Sequence, residues 1–281
     1  MNYVKTAALL VVLAALLVWF GGIVGGPRGA MTALIFAMIM NLGAFWFSDR
    51  IVLSMYRAKE LPEGRAPEVY GIVRELAAKA NMPAPKVYIA PIKAPNAFAT
   101  GRNPSHGVVC VTEGILRALN TEELKGVIAH EMSHIKNRDT LIMTVTAALA
   151  SAIMMLAYMA RWAAIFGGFG GRGGRDRSGG IIGLLAAVIV APLAATLVQL
   201  AISRSREYAA DGRGAYLAGS GGGLASALGK LHDGARRYRM NTSAQTAHLF
   251  VVNPLTGGFV ANLFSTHPPV EKRIERLRNL R

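Results

Sequence analysis

The 281-residue chain is 52% hydrophobic and only 17% charged, where an ordinary soluble domain carries about 25% charged residues. Its 31 Lys+Arg against 16 Asp+Glu make it strongly basic, yet a nucleic-acid binder is not normally so apolar, whereas basic loops beside anionic lipid fit a membrane protein. The single cysteine, Cys110, excludes an intramolecular disulfide and a cysteine-rich zinc site.

In chain order, the first two elements are uncharged runs between Lys5 and Arg28 and between Arg28 and Asp49. Each is long enough for a helix across the bilayer core, which takes about 20 apolar residues. Gly25-Gly26-Pro27-Arg28 joins them, so a tight helical hairpin is expected rather than a signal peptide. Polar segment 49–139 follows. In it, Val69, Ile72, Val73 and Leu76 space one face of a helix over Ala66–Ala80. Strand-like pieces at Lys86–Ala90, Asn96–Thr100 and Gly107–Thr112 are bounded by breakers such as Pro91, Pro95 and Pro104. Asn120 with Glu123 three residues on predicts an N-cap and a helix starting near Thr121.

Uncharged runs three and four lie between Asp139 and Arg161 and between Arg177 and Arg204, with Pro192 predicting a kink in the fourth. The turn between them, 167–180, contains a G-x-G-x-x-G match. No strand precedes it, so it predicts no dinucleotide site. Segment 203–281 reads as helices over Arg204–Ala218, Leu224–Tyr238 and Val270–Leu280, with a break at Gly219–Gly223. The division is therefore an N-terminal hairpin (1–48), a first soluble half (49–139), a second hairpin (140–202) and a second soluble half (203–281). The two halves are expected to fold together. They carry 13 and 12 Lys+Arg, which places them and both termini in the cytoplasm.

His130-Glu131-Met132-Ser133-His134 is an H-E-x-x-H pattern. On a helix the two histidines project from one face and can reach one metal ion. Glu131 points about 100° away, near enough for a metal-activated water. It also continues the apolar stripe of Val127 and Ile128, where an ionised carboxylate is costly unless a cation is close. A catalytic zinc site needs a third protein ligand. The downstream candidates are Glu207, Asp211, His232, His248 and His267. Glu207 and Asp211 directly follow the fourth run, and the topology returns them to the membrane face where His134 sits. Four apart on a helix, one can ligate while the other hydrogen-bonds a ligand histidine.

These residues, with NAFATG (96–101), ELKGVIAHEMSHIKNRDT (123–140), SRSREYAAD (203–211), LASALGKL (224–231) and STHPPVEKRIERL (265–277), resemble the HtpX-type membrane zinc metalloproteases. These are the prokaryotic branch of peptidase family M48, related to CAAX prenyl proteases. The resemblance runs nearly end to end. It implies a mainly α integral membrane protein with a small β-sheet, whose gluzincin-like (zincin) catalytic domain is carried on about four transmembrane helices. It implies one Zn²⁺ on His130, His134 and Glu207, Glu131 as catalytic base, and Asp211 behind the ligands. His267 and Arg273 match positions that stabilise the oxyanion. Asn96, Ala97 and Phe98 match an edge strand that binds substrate by strand addition.

The implied activity is an endopeptidase for misfolded membrane proteins or unfolded polypeptides, at the cytoplasmic face of a bacterial inner membrane. One alternative is a specific processing protease of the CAAX type. Another is a zinc transporter or sensor, but the polar residues of runs three and four, such as Thr140, Thr144, Thr146, Ser151, Thr196 and Gln199, include no carboxylate or histidine. A nucleic-acid partner is excluded by the lack of motif and aromatic interleaving.

Overall fold

The computed structural model describes residues 2–143, 204–237 and 268–280. Helix α1 (Asn2–Met55) contains Pro27, and Gly26 just before it has φ +59°. That left-handed backbone suits glycine, and it turns the helix back on itself. A Cβ built on Gly22 would lie 3.8 Å from the Cβ of Ala30, whereas positions eight apart in a straight helix are about 12 Å apart. The chain therefore folds back near Gly26 while helical geometry persists through the turn. The second limb, Gly26–Phe47, is long and apolar enough to cross a bilayer and only 6% of it is buried. Ile35, Met38, Ile39 and Leu42 all face outward. A core helix would bury that surface.

The end of α1 behaves differently. Val52, Leu53 and Tyr56 are buried against Ala90, Phe98, Val108 and Cys110, which ties the apolar helix to one face of the sheet. Among the described residues, strands β1 (Lys59–Glu60), β2 (Lys86–Ala90), β3 (Ala97–Thr100) and β4 (Val108–Thr112) form one sheet in the order β1-β2-β4-β3. β2 and β4 run parallel and the other two pairs are antiparallel, with Val87 opposite Val109 and Phe98 opposite Cys110. The period of two sorts the side chains. Val87, Ala97, Ala99, Val109 and Val111 enter the main core, while Phe98, Val108 and Cys110 meet α1.

Helix α2 (Pro67–Lys79) buries the predicted Val69, Ile72, Val73 and Leu76. The short helix α3 (Glu113–Ala118), capped by Thr112 Oγ1 accepting from the Ile115 amide, has no counterpart in the sequence expectations. The two-residue β1 has none either, because neither element is long enough to show a period.

Helix α4 (Thr121–Asn137) starts at the predicted capping box between Asn120 and Glu123. The Glu123 carboxylate, 3% exposed, also accepts Ser226 Oγ at 2.6 Å and Lys230 Nζ at 2.7 Å. Helices α5 (Arg204–Ala218), α6 (Gly222–Arg237) and α7 (Val270–Arg278) complete the described chain. α6 starts two residues before the expected Leu224, because Gly222 and Gly223 join the helix instead of the break. The main core takes residues from α2, β2–β4 and α4 of one half and from α5, α6 and α7 of the other. Residues 139–143 are helical again, and the rest of the expected second hairpin lies outside the described residues.

α4 and α6 touch backbone to backbone: a Cβ on Gly126 would lie 2.5 Å from the amide nitrogen of Leu224. Gly126→Ala should therefore cost about 1–3 kcal/mol through overpacking and lower the midpoint of thermal unfolding. Gly71→Ala, in the middle of α2 with nothing within 4 Å of the new methyl, should instead raise it by the equivalent of about 0.5–1 kcal/mol.

Candidate metal centre

One helical turn of α4 separates His130 from His134, and their Nε2 atoms converge to 3.3 Å. α5 brings Glu207 to them, with Oε1 3.5 Å from His134 Nε2 and Oε2 3.8 Å from His130 Nε2. All three residues are buried and their ligand atoms lie within 4.8 Å of one another. A tetrahedral ion with ligand bonds near 2.05 Å holds its ligand atoms about 3.4 Å apart. The observed spacings fit such an ion.

Each imidazole has a carboxylate on its other side. His134 Nδ1 lies 3.2 Å from Asp139 Oδ2, and His130 Nδ1 lies 3.0 Å from Asp211 Oδ1. The second contact is close but departs from the direction of the ring N–H. Carboxylates in these positions hold the Nδ1–H tautomer and leave Nε2 for a metal. Arg273, wholly buried, grips Asp211 with a fork, Nε to Oδ2 at 2.9 Å and Nη2 to Oδ1 at 2.7 Å. It also stands 3.6 Å from Glu207 Oε2 and 3.4 Å from His130 Nε2.

Burial governs the protonation states. It pushes the Glu131 carboxyl up to about 7, helped by the Glu207 charge and opposed by His134 and by a hydrogen bond from the Ala99 amide. For His134 burial acts downward, but the Asp139 hydrogen bond and the charges of Glu207 and Glu131 outweigh it and lift the ring to about 9. His130 stays below its ordinary value, because burial and the Arg273 charge outweigh Asp211. Burial works against ionisation of Asp211, but His130 and Arg273 overcome it and hold the carboxyl low.

The structure thus gathers Glu131, Glu207, Asp211 and Arg273 around the two histidines from three helices. Asn96 is buried at the head of β3, its amide held by Thr112 Oγ1 at 2.9 Å. Ala97 faces the main core. The ring of Phe98 turns to the opposite face and packs on Tyr56, 5.1 Å between centroids. Its side chain therefore belongs to the core beside α1. Among the other candidate ligands, His232 is partly buried on α6 and is not one of the clustered groups. His248 and His267 lie outside the described residues.

Asp139 was not among the expected site residues. In the sequence it marks only the edge of an uncharged run. Arg138, at φ +61°, ends α4 in a left-handed turn, and that turn carries Asp139 back to His134. The available signal was an acid placed directly before a long apolar run, where an unpaired charge would be costly.

Asp139→Asn should weaken metal affinity by roughly 10–100-fold while leaving the fold intact, as read by competition with a chromophoric chelator. A second expectation concerns the metal-free protein. Glu131 binds its proton more tightly folded, near 7, than at its ordinary value of 4.5, so its contribution is full below about pH 4.5 and is lost as pH rises through 7. Glu131→Gln cannot ionise. Denaturant unfolding of the metal-free proteins should show the variant gaining on wild type from pH 5 to pH 8, by on the order of 3 kcal/mol at the upper end.

Comparison with known proteins agrees with this geometry. The sequence profile of peptidase family M48 matches residues 63–281. A protease HtpX homolog from Syntrophobacter fumaroxidans is 54% identical over 277 residues, covering 98% of each chain. Another, from Syntrophotalea carbinolica, is 56% identical over 281 residues, covering 100% of this chain and 99% of that one. Among solved structures, the crystal structure of S. mikatae Ste24p shares the fold with a TM-score of 0.56 at 18% identity, covering 98% of this chain and 65% of that one. With a family profile over most of its length and relatives identical at more than half their positions, the chain belongs to peptidase family M48 and is a metalloprotease.

Proposed function

We propose that the protein is a membrane-embedded, zinc-dependent endopeptidase that hydrolyses misfolded or damaged membrane proteins and unfolded polypeptides at the cytoplasmic face of a bacterial inner membrane. The observation that carries this reading is a buried carboxylate, Glu131, next in sequence to a ligand of a tetrahedrally spaced His130–His134–Glu207 site. His130 and His134 would hold zinc through Nε2 and Glu207 through its carboxylate. Zinc supplies Lewis-acid polarisation of a scissile carbonyl and makes a water acidic near neutral pH.

Glu131 accepts the proton of the attacking water and passes it to the leaving amine. A carboxylate positioned beside the ligands serves as base in the first step and, once protonated, as acid in the second. Asp211 and Asp139 orient the two imidazoles. Arg273, spent on Asp211, Glu207 and His130, acts as a positioning residue that holds the Asp211 side of the site, and this leaves oxyanion stabilisation to His267. Among the described residues β3 is an edge strand, and the substrate is proposed to lie along it beside Asn96, Ala97 and Phe98. Because β3 buries its side chains, it offers backbone groups for strand addition rather than side-chain pockets. That suits broad sequence tolerance better than a dedicated processing protease, and a base beside the ligands favours hydrolysis over zinc transport.

The direct test uses protein purified in detergent, stripped of metal, reloaded with zinc and given casein. Glu131→Gln should retain one zinc per chain and lose cleavage by about 10²–10⁴-fold. Equal cleavage by wild type and variant would reject the hydrolytic reading.

A further inference from the structure

A second cavity lies at the foot of α1, away from the metal centre. Its volume is about 540 Å³, and Trp46, Phe47, Arg50, Tyr88, Lys86 and Arg102 line it. Three features define what it can hold. The first is depth. The apolar limb of α1 ends at Phe47, and Trp46 and Phe47 are each about half exposed. If that limb lies in a bilayer, the cavity opens at the level of the headgroups, where aromatic rings collect.

The second feature is charge. Arg50, Lys86 and Arg102 face a single carboxylate, Asp49, in the lining. Among the described residues none of these three cations is in an ion pair, so their charge is not cancelled by a neighbouring carboxylate. Asp49 itself accepts the backbone amide of Arg50 at 2.9 Å.

The third is preorganisation. Arg102 lies over the Trp46 ring at 4.8 Å, and Arg50 over Phe47 at 5.8 Å. Arg102 Nη2 also lies 2.8 Å from His106 Nε2. The Asn103 side-chain oxygen can only accept, and it takes both His106 Nδ1 at 2.8 Å and the His106 amide at 3.0 Å. Nδ1 is thus the donor, and Nε2 is left to accept from Arg102. The guanidinium is held in place by neutral partners, so its charge is positioned without being cancelled.

We infer that this cavity binds the phosphate of an anionic glycerophospholipid at the membrane surface. A phosphodiester suits two guanidiniums and an ammonium, and the apolar limb of α1 beside it provides for the acyl chains. The site does not depend on the hydrolytic reading, only on α1 lying in a bilayer.

The test is native mass spectrometry of the full chain in detergent, titrated with phosphatidylglycerol or phosphatidylcholine. Wild type should retain phosphatidylglycerol in at least roughly thirtyfold preference. Lys86→Gln/Arg102→Gln should lose that preference by roughly thirtyfold, the sum expected for two basic residues near a membrane surface. Arg74→Gln/Lys125→Gln, which removes two charges elsewhere on the domain, should keep it. An unchanged unfolding midpoint checks that each variant is folded. Equal loss in both double variants would mean diffuse attraction and overturn the site, as would no loss in the first. Displacement of the lipid by millimolar inorganic phosphate would make it a free-anion site and overturn the lipid assignment.

Discussion

The structure is organised around a single electrostatic constraint. Glu131, Asp139, Glu207 and Asp211 are all buried within reach of the same two imidazoles. Carboxylates removed from water at that density repel one another and lose their hydration, so the site is tolerable only with positive charge inside it. Arg273 supplies one such charge, by a two-bonded contact with Asp211. The spacing of the remaining donors matches a divalent cation of zinc's size. Until that cation binds, part of the imbalance is relieved by protons. This explains why Glu131 and His134 are both driven to hold theirs more tightly than usual.

Such a cluster has to be held rigidly, and the fold does this by fastening α4 at both ends and along its side. At the N-terminus the capping box satisfies the first amides, and Glu123 extends it to Ser226 and Lys230 of α6. Along the side, Gly126 lets α6 approach to backbone contact. At the C-terminus the left-handed Arg138 folds Asp139 back onto His134, and the next residue, Thr140, hydrogen-bonds the carbonyl of Gly101 at 3.0 Å. The metal-ligand helix is thereby tied to the loop that follows β3. Glu131 takes the amide of Ala99 from the same strand. The base and the edge strand are thus set in register by one hydrogen bond.

The same sheet that lines the site on one face receives α1 on the other. Phe98 and Tyr56 stack there, so the apolar limb is continuous with the folded core rather than loosely appended. Two chemistries separated by one layer of β-structure therefore share a frame. One face carries buried, compensated charge; the other carries basic and aromatic groups where the apolar helix ends.

Local patterns were legible in the sequence wherever the signal was short-range. The capping box at Asn120–Glu123, the face of α2, the three principal strands and the i, i+4 pairing of the histidines depend on residues a few positions apart, and sequence spacing determines them. The composition likewise determined a chain too apolar for an ordinary soluble domain. Spacing left open which of Glu207 and Asp211 meets both histidines, because both lie on one helix and the choice depends on how α5 rotates against α4; only the resemblance pointed to Glu207. The tertiary structure alone gave Arg273 to Asp211 across 62 positions of chain. It alone made Asp139 a partner of His134 rather than the border of an apolar run, since that required one residue to adopt a left-handed backbone. Charges brought together from distant segments compensate one another only when packing removes the water between them, and spacing along the chain carries no record of that.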